Sequence, residues 1–227
     1  MKENGAVKLK GILLVGAVAT FLMVVISSYA WTQIPSGAQV CTHWNASGDC
    51  DAYGTKFMGL FLMPIITAGT ILFVSLISRV EPRKINLAKS GAAFSGVIIS
   101  TILFLLATHA VLMLNILGSE ISISSWLSFL LGLMFIATGF FMSKLHSNFI
   151  FGIRTPWTLS SNLAWNKTHK LGGRLWIAQG LLFIAFSLFT SGEVWVYLLL
   201  ASIIATSSIL VVYSYLIWKK DPDRMDL

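Results

Sequence analysis

Apolar residues in this chain come in long uninterrupted blocks rather than at amphipathic spacing. That pattern belongs to helices whose whole circumference faces an apolar medium. A helix needs roughly 20 apolar residues to cross about 30 Å of hydrocarbon. Six blocks qualify: 11–30, 57–78, 92–116, 125–142, 175–191 and 194–218. The fourth and fifth are short. The expected fold is an all-α integral membrane protein with six transmembrane helices. The first block follows Lys2, Lys8 and Lys10, and its end, Ser28-Tyr29-Ala30, has the small-x-small form of a signal-peptide cleavage site. Its apolar run is already at the upper length of a signal core, so it reads as a retained helix.

Composition agrees with the pattern. Of 227 residues, 56% are hydrophobic and 11% charged, with a mean hydropathy of +0.80. A soluble domain carries about a quarter charged residues. Charge then sets an orientation. Lys2, Lys8 and Lys10 precede the first block, and Arg79, Arg83, Lys84 and Lys89 lie around the second loop. Lys144, Arg154, Lys167, Lys170 and Arg174 lie in the fourth loop, and Lys219, Lys220 and Arg224 in the tail. Fifteen of the sixteen basic residues thus fall on one side, and only Lys56 falls on the other. The positive-inside rule places both termini in the cytoplasm. The net charge of +7 is accounted for by topology and attraction to anionic lipid, not by direct nucleic-acid binding.

The first external loop, 31–56, contains CTHWNASGDCDAYGTK. Cys41 and Cys50, the only cysteines, lie in a space that permits disulfides, and they read equally as a bridge or as two free thiols. Gly48, Asp49 and Gly54 favour turns. His43, Asp49 and Asp51 match no metal-ligand spacing, so no metal is expected there. A loop structured by turns with a Trp44 wedge is the expectation.

Within the blocks, no Asp, Glu, Lys or Arg lies near a midpoint, whereas proton-driven pumps and ion carriers usually need one. His109 is the ionisable exception, with Thr108 beside it and Asn115 further along, and it reads as a neutral side chain bonded to a neighbouring helix. Small residues such as Ala92 and Gly96, or Ser202 and Thr206, read as close helix contacts.

The fourth loop, 143–174, is the polar exception to the membrane pattern. Thr155-Pro156 supplies an N-cap and a proline at the first helical position, and Gly172-Gly173 has the form of a helix stop. Trp157, Trp165 and Trp176 together with Lys167, Lys170 and Arg174 suit an amphipathic helix lying in the headgroup layer. Asn148, Arg154, Thr155, Thr158, Asn166, Thr168 and His169 add more polar specificity than anchoring requires. Arg154 stands just before a helix N-terminus, where an anion is favoured.

The stretch NFIFGIRTPWTLSSNLAWNKTHKLGG resembles the signature of the SdpI family, the bacterial Sdp-toxin immunity proteins. Asn148, Gly152, Arg154, Thr155, Pro156, Trp157, Thr158, Leu159, Trp165, Thr168, His169, Lys170 and Gly173 match its N-x-x-x-G-x-R-T-P-W-T-L and W-x-x-T-H-[RK]-x-x-G parts. HWNASGDCD is similar to the H-[WF]-N-x-x-G-x-x-D loop of a domain that often precedes the signature, through His43, Trp44, Asn45, Gly48 and Asp51. The cysteine pair departs from that pattern. The resemblance implies two units, 1–90 with two spans and the external loop, and 91–227 with four spans and the signature loop.

It further implies a bacterial inner-membrane protein that protects its cell from a secreted toxin peptide and recruits a cognate soluble repressor to the membrane. Asn148, Arg154, Thr155, Trp157, Thr158, Trp165, Thr168 and His169 would then bind a ligand or partner, with His43, Asn45 and Asp51 outside. Membrane lipid, a toxin peptide and a repressor are the partners so implied. An alternative class is a transporter or enzyme acting on a lipid-linked or small hydrophobic substrate, with His169 as acid–base. Against it, the signature carries no carboxylate and no nucleophile beside a base. Phosphate loops, dinucleotide fingerprints and metal clusters are absent from the sequence, so no catalytic residue and no cofactor are expected.

Overall fold

In hydrocarbon each backbone amide must find its partner within the chain, so apolar runs of this length fold as helices. The computed structural model describes residues 9–189 and 193–225; Lys2, Lys8 and the end of the fifth expected block, Ser191, lie outside them. Six helices in it are long and apolar enough to span a bilayer. They are α1 (Lys10–Gln33), α2 (Lys56–Val80), α4 (Gly91–Ile116), α5 (Ile123–Met142), α7 (Asn162–Phe189) and α8 (Val194–Lys219), with short α3 (Lys84–Lys89) and α6 (Pro156–Ser160) between them. In packing order, α1 meets α2 and α4, α4 meets α5, α5 meets α7, and α7 meets α8.

Between helices in lipid there is no hydrophobic drive, so association rests on close packing and hydrogen bonds. The tightest case is α5 against α7. A Cβ on Gly132 would lie 2.6 Å from the Gly180 carbonyl oxygen, and one on Gly139 would lie 2.7 Å from that of Gly173. These two pairs, seven residues apart on each helix, run antiparallel and bring backbone against backbone. The Ser128 hydroxyl extends the seam by donating to the Phe183 carbonyl at 2.8 Å. The seam corrects one expectation. Gly172-Gly173 does not stop a helix; α7 runs straight through it, because Gly173 is needed for the approach of α5 and not for a left-handed cap. Among the expected small-residue contacts, Gly96 lies against the Phe141 ring and Ser202 receives the Gln179 amide at 2.8 Å, whereas Ala92 is exposed.

A second joint ties α1, α2 and α4. Pro64 inside α2 lacks the N–H that would otherwise bond the Leu60 carbonyl. The Ser27 hydroxyl of α1 donates to that carbonyl at 2.6 Å. His109 Nε2 lies 3.2 Å from both Ser27 Oγ and the Met23 carbonyl. A carbonyl only accepts, so Nε2 carries the hydrogen. The expected bond from His109 to a neighbouring helix is therefore present, while the Thr108 hydroxyl and His109 Nδ1 are buried without a partner.

Beyond the spans, residues 39–55 form a two-stranded antiparallel hairpin, β1 (Gln39–Trp44) and β2 (Cys50–Thr55), rather than turns alone. Cys41 and Cys50 are bridged across it. Asn45 accepts from the Asp49 amide at 2.9 Å and closes the tip. The tip docks on the far helices: Trp44 Nε1 donates to Asn115 of α4 at 3.2 Å, and Trp195 Nε1 of α8 to the Ala46 carbonyl at 3.2 Å. Trp44 is thus a wedge, held by a hydrogen bond.

If the glycine seam carries the α5–α7 contact, Gly180→Val should lower stability by about 1–3 kcal/mol or more, because its Cβ meets backbone that cannot swing aside. Gly69→Val, at a position with nothing within 4 Å, should have little effect. Thermal unfolding of the two variants in one detergent, read by size-exclusion chromatography, compares them; equal midpoints would refute the seam.

Candidate functional site at the signature loop

The signature folds as one packed unit at the end of the bundle opposite the hairpin. Asn148, fully buried, shapes its start: the side-chain oxygen accepts from the Ile150 and Phe151 amides at 3.0 and 2.7 Å, and the amide donates to His146 at 2.9 Å. Gly152 follows at φ +111°, and a Cβ there would lie 2.4 Å from His169 Nε2. Glycine is required twice over, for the backbone angle and for the space.

His169 joins loop to helix. Its Nδ1 lies 2.8 Å from the Trp165 carbonyl, so that nitrogen carries the hydrogen, and Nε2 accepts from the Ile153 amide at 3.0 Å. Both ring nitrogens are occupied by backbone. Trp165 stacks on His169 with centroids 4.0 Å apart, and its indole N–H donates to the Leu145 carbonyl at 2.7 Å. Thr168 is buried beside them with an unpartnered hydroxyl. Trp165 and His169 therefore face protein rather than headgroups, which differs from the expected interfacial helix. The reason is a break. The helix starts at Thr155-Pro156, as the sequence suggests, with Thr158 completing a reciprocal capping box, but it ends after five residues. Ser161, extended at φ −145°, turns the chain and caps α7 by accepting the Ala164 amide at 2.9 Å. The N-terminal half of α7 then enters the bundle instead of lying along its surface.

Two of the expected residues face outward. Arg154 is exposed, with Nη1 2.5 Å from the Phe149 carbonyl. Trp157 is half-buried against Tyr215 of α8, centroids 5.3 Å apart. Asn166, Lys167, Lys170 and Arg174 are also exposed. Asn148, Thr155, Thr158, Trp165, Thr168 and His169 are buried. The hairpin residues His43 and Asp51 are paired at 2.5 Å at the other end of α2, so the fold does not bring the two expected groups together.

Sequence reasoning missed the partners of this unit. The basic loop after α2 reads as a topology signal, yet its one acid, Glu81, is buried and accepts from the Arg83 amide at 2.9 Å and the Phe149 amide at 3.2 Å. The Arg83 guanidinium lies 4.5 Å over the Phe149 ring, donates to Leu159 at 3.0 Å, and reaches the Ser147 hydroxyl. Asn86 donates to the Ser147 carbonyl at 2.8 Å, and Ser90 receives the His146 amide at 2.8 Å. The available signal was a lone acid at the end of a span among basic residues. From the other side the tail folds back: the Met225 amide donates to Ser160 at 2.9 Å, and the Ser161 hydroxyl donates to Asp221. That hydroxyl is the main cause holding the Asp221 carboxyl below the usual carboxylate range, against desolvation, with help from the Asp223 and Leu163 amides and the Arg224 cation.

A lowered carboxyl stabilises the docked tail above its ordinary titration range and loses that contribution as pH falls through the lowered value. The tail should stay docked at neutral pH and through the ordinary carboxylate range, and release only in stronger acid. Asp221→Asn should loosen it at every pH. Hydrogen exchange of the tail amides, followed by mass spectrometry against pH, reports this; a tail equally protected in parent and variant would refute the latch.

Comparison with known proteins follows the same segments. Residues 144–214 match the model of the SdpI/YfhL protein family, and residues 18–68 match DUF1648, a domain of unknown function. The chain is 24% identical over 166 residues, 73% of its length and 77% of the other protein, to the immunity protein SdpI of Bacillus subtilis (strain 168). No solved structure matches. Residues 144–214, which hold the signature, are thus similar to the SdpI/YfhL protein family, in a chain with six helices long and apolar enough to cross a membrane.

Proposed function

We propose that this protein confers resistance to a secreted toxin peptide, with the hairpin face outside the cell and the signature face and both termini in the cytoplasm. The observation that carries the reading is the match to an immunity protein over about three quarters of both chains. The charge asymmetry supports the orientation. A non-enzymatic role is supported by His169, the one histidine an acid–base site would use, whose two ring nitrogens already hold backbone groups. On this reading the unit 1–90 presents the toxin-facing hairpin, with His43, Asn45 and Asp51 on it, and the unit 91–227 presents the cytoplasmic face to a soluble repressor.

The site residues divide by position. Arg154 and Trp157 make the partner contact, since they reach the surface. Asn148, Thr155, Thr158, Trp165, Thr168 and His169 hold that surface in place. An outward guanidinium favours a carboxylate or phosphate on the partner, taken by a two-pronged contact that lysine cannot copy.

The direct experiment is challenge of a sensitive strain with the Sdp toxin, with and without this chain; survival unaffected by its expression would sink the immunity reading. Within a protective background, Arg154→Lys should reduce protection or repressor recruitment about tenfold at unchanged membrane levels, the loss of one forked charge-assisted contact. His169→Gln should instead lower membrane levels by removing a structural joint. Parental protection by Arg154→Lys would mean that the segment is scaffold alone.

A further inference from the structure

The external face is mostly closed. The hairpin tip is covered by α4, α5 and α8 through Asn115, Ser124 and Trp195. Its root is not. There, between the end of α1 and the start of α2, lies an open cleft of about 590 Å³ lined among others by Trp31, Ser36, Gln39, Thr55, Lys56 and Phe57. That volume falls in the range of small-molecule sites, roughly 300–1,000 Å³. None of its lining residues is acidic, although Asp49, Asp51, Glu120 and Glu193 stand elsewhere on this face.

Lys56 is the lone basic residue on this side of the protein, and it is built into the cleft rather than free. Its Nζ donates to the Ile34 carbonyl at 2.5 Å and sits 4.5 Å over the Trp31 ring. An ammonium has three hydrogens, so this anchorage fixes the group and leaves donors for an anion. The wall is aromatic: Trp31 and Phe57 both pack on Phe61, with centroids 6.1 and 5.4 Å apart, yet remain 42% and 51% exposed. Depth selects the occupant. The apolar run of α1 ends at Ala30, just before Trp31, and that of α2 begins at Phe57. The cleft therefore straddles the boundary between hydrocarbon and water, the level where tryptophan and lysine side chains meet headgroups.

We propose that this cleft is a phospholipid site: Lys56 binds the phosphate of a lipid in the adjoining leaflet, Ser36, Gln39 and Thr55 face its polar head, and Trp31 and Phe57 hold the start of an acyl chain. An anionic glycerophospholipid suits it best, since the cleft offers a cation and no acid. A lipid seated there would brace the hairpin root against α1 and α2.

The test uses the full chain in detergent, titrated with phosphatidylglycerol, phosphatidylcholine or inorganic phosphate and read by native mass spectrometry. Phosphatidylglycerol should bind best, and Lys56→Gln should weaken it about tenfold, the loss of one charge-assisted contact. Lys56→Arg should keep most of the binding, and Lys219→Gln, at the opposite end, should keep all of it. Millimolar inorganic phosphate should not displace the lipid; full displacement would mean a simple anion site and overturn the proposal. Should Lys56→Gln fail to fold, a photoactivatable phosphatidylglycerol on the unaltered protein decides instead. Adducts on the peptides around Trp31 and Lys56 are expected. Adducts elsewhere only, an unchanged Lys56→Gln affinity, or competition for the site by an acidic peptide but not by lipid would each refute it.

Discussion

The structure hangs on one close approach. Where α5 and α7 cross, glycine faces glycine twice, and backbone touches backbone without side chains between. In a medium that gives helices no hydrophobic reason to associate, such contact is a principal source of cohesion. It has a positional consequence too. Because Gly173 sits against Gly139, the turns of α7 before it are fixed against the end of α5. Trp165 then lies under Leu145, and His169 under Gly152 and Ile153. The geometry of the signature loop is set by a seam that contains little of the signature.

The polar end of the molecule follows a different rule. Buried polar groups are costly unless bonded, and here most meet backbone rather than each other. Glu81 accepts amides, Asn148 accepts amides, His169 accepts one and donates to a carbonyl, and Arg83 donates to a carbonyl and a hydroxyl. Side chains used this way define chain path more than chemistry. Three separate segments, the loop after α2, the signature and the tail, are thereby welded into one surface. Arg154 projects from it.

At the other end, the hairpin that starts between α1 and α2 reaches across to α4, α5 and α8. Trp44 donates to Asn115 and Trp195 donates to the Ala46 carbonyl, and the disulfide between Cys41 and Cys50 ties the two strands of the hairpin that bears Trp44 and Ala46. Two regions that match separate family models, 18–68 and 144–214, therefore belong to a bundle joined at both faces. Anything that shifts the hairpin acts on the ends of α4, α5 and α8 remote from the signature.

Span number, and the position of every span but the fifth, were legible in the sequence because they depend on a local quantity, the length of an apolar run set against the thickness of hydrocarbon; α7 begins at Asn162, well before the expected 175, because its first turns are polar. The helix start at Thr155-Pro156 was legible for the same reason, since an N-cap closes its hydrogen bond within four residues. What only the tertiary structure decided were the features that need a partner. Gly172-Gly173 reads the same whether it ends a helix or admits a neighbour, and only α5 makes the choice. Trp165 and His169 look interfacial until the break at Ser161 turns α7 inward. Glu81, Arg83, Ser161 and Asp221 look like loop charges and hydroxyls until three distant segments meet. A residue's type states what it can bond; which bond it makes is a property of what the fold places within three ångströms of it.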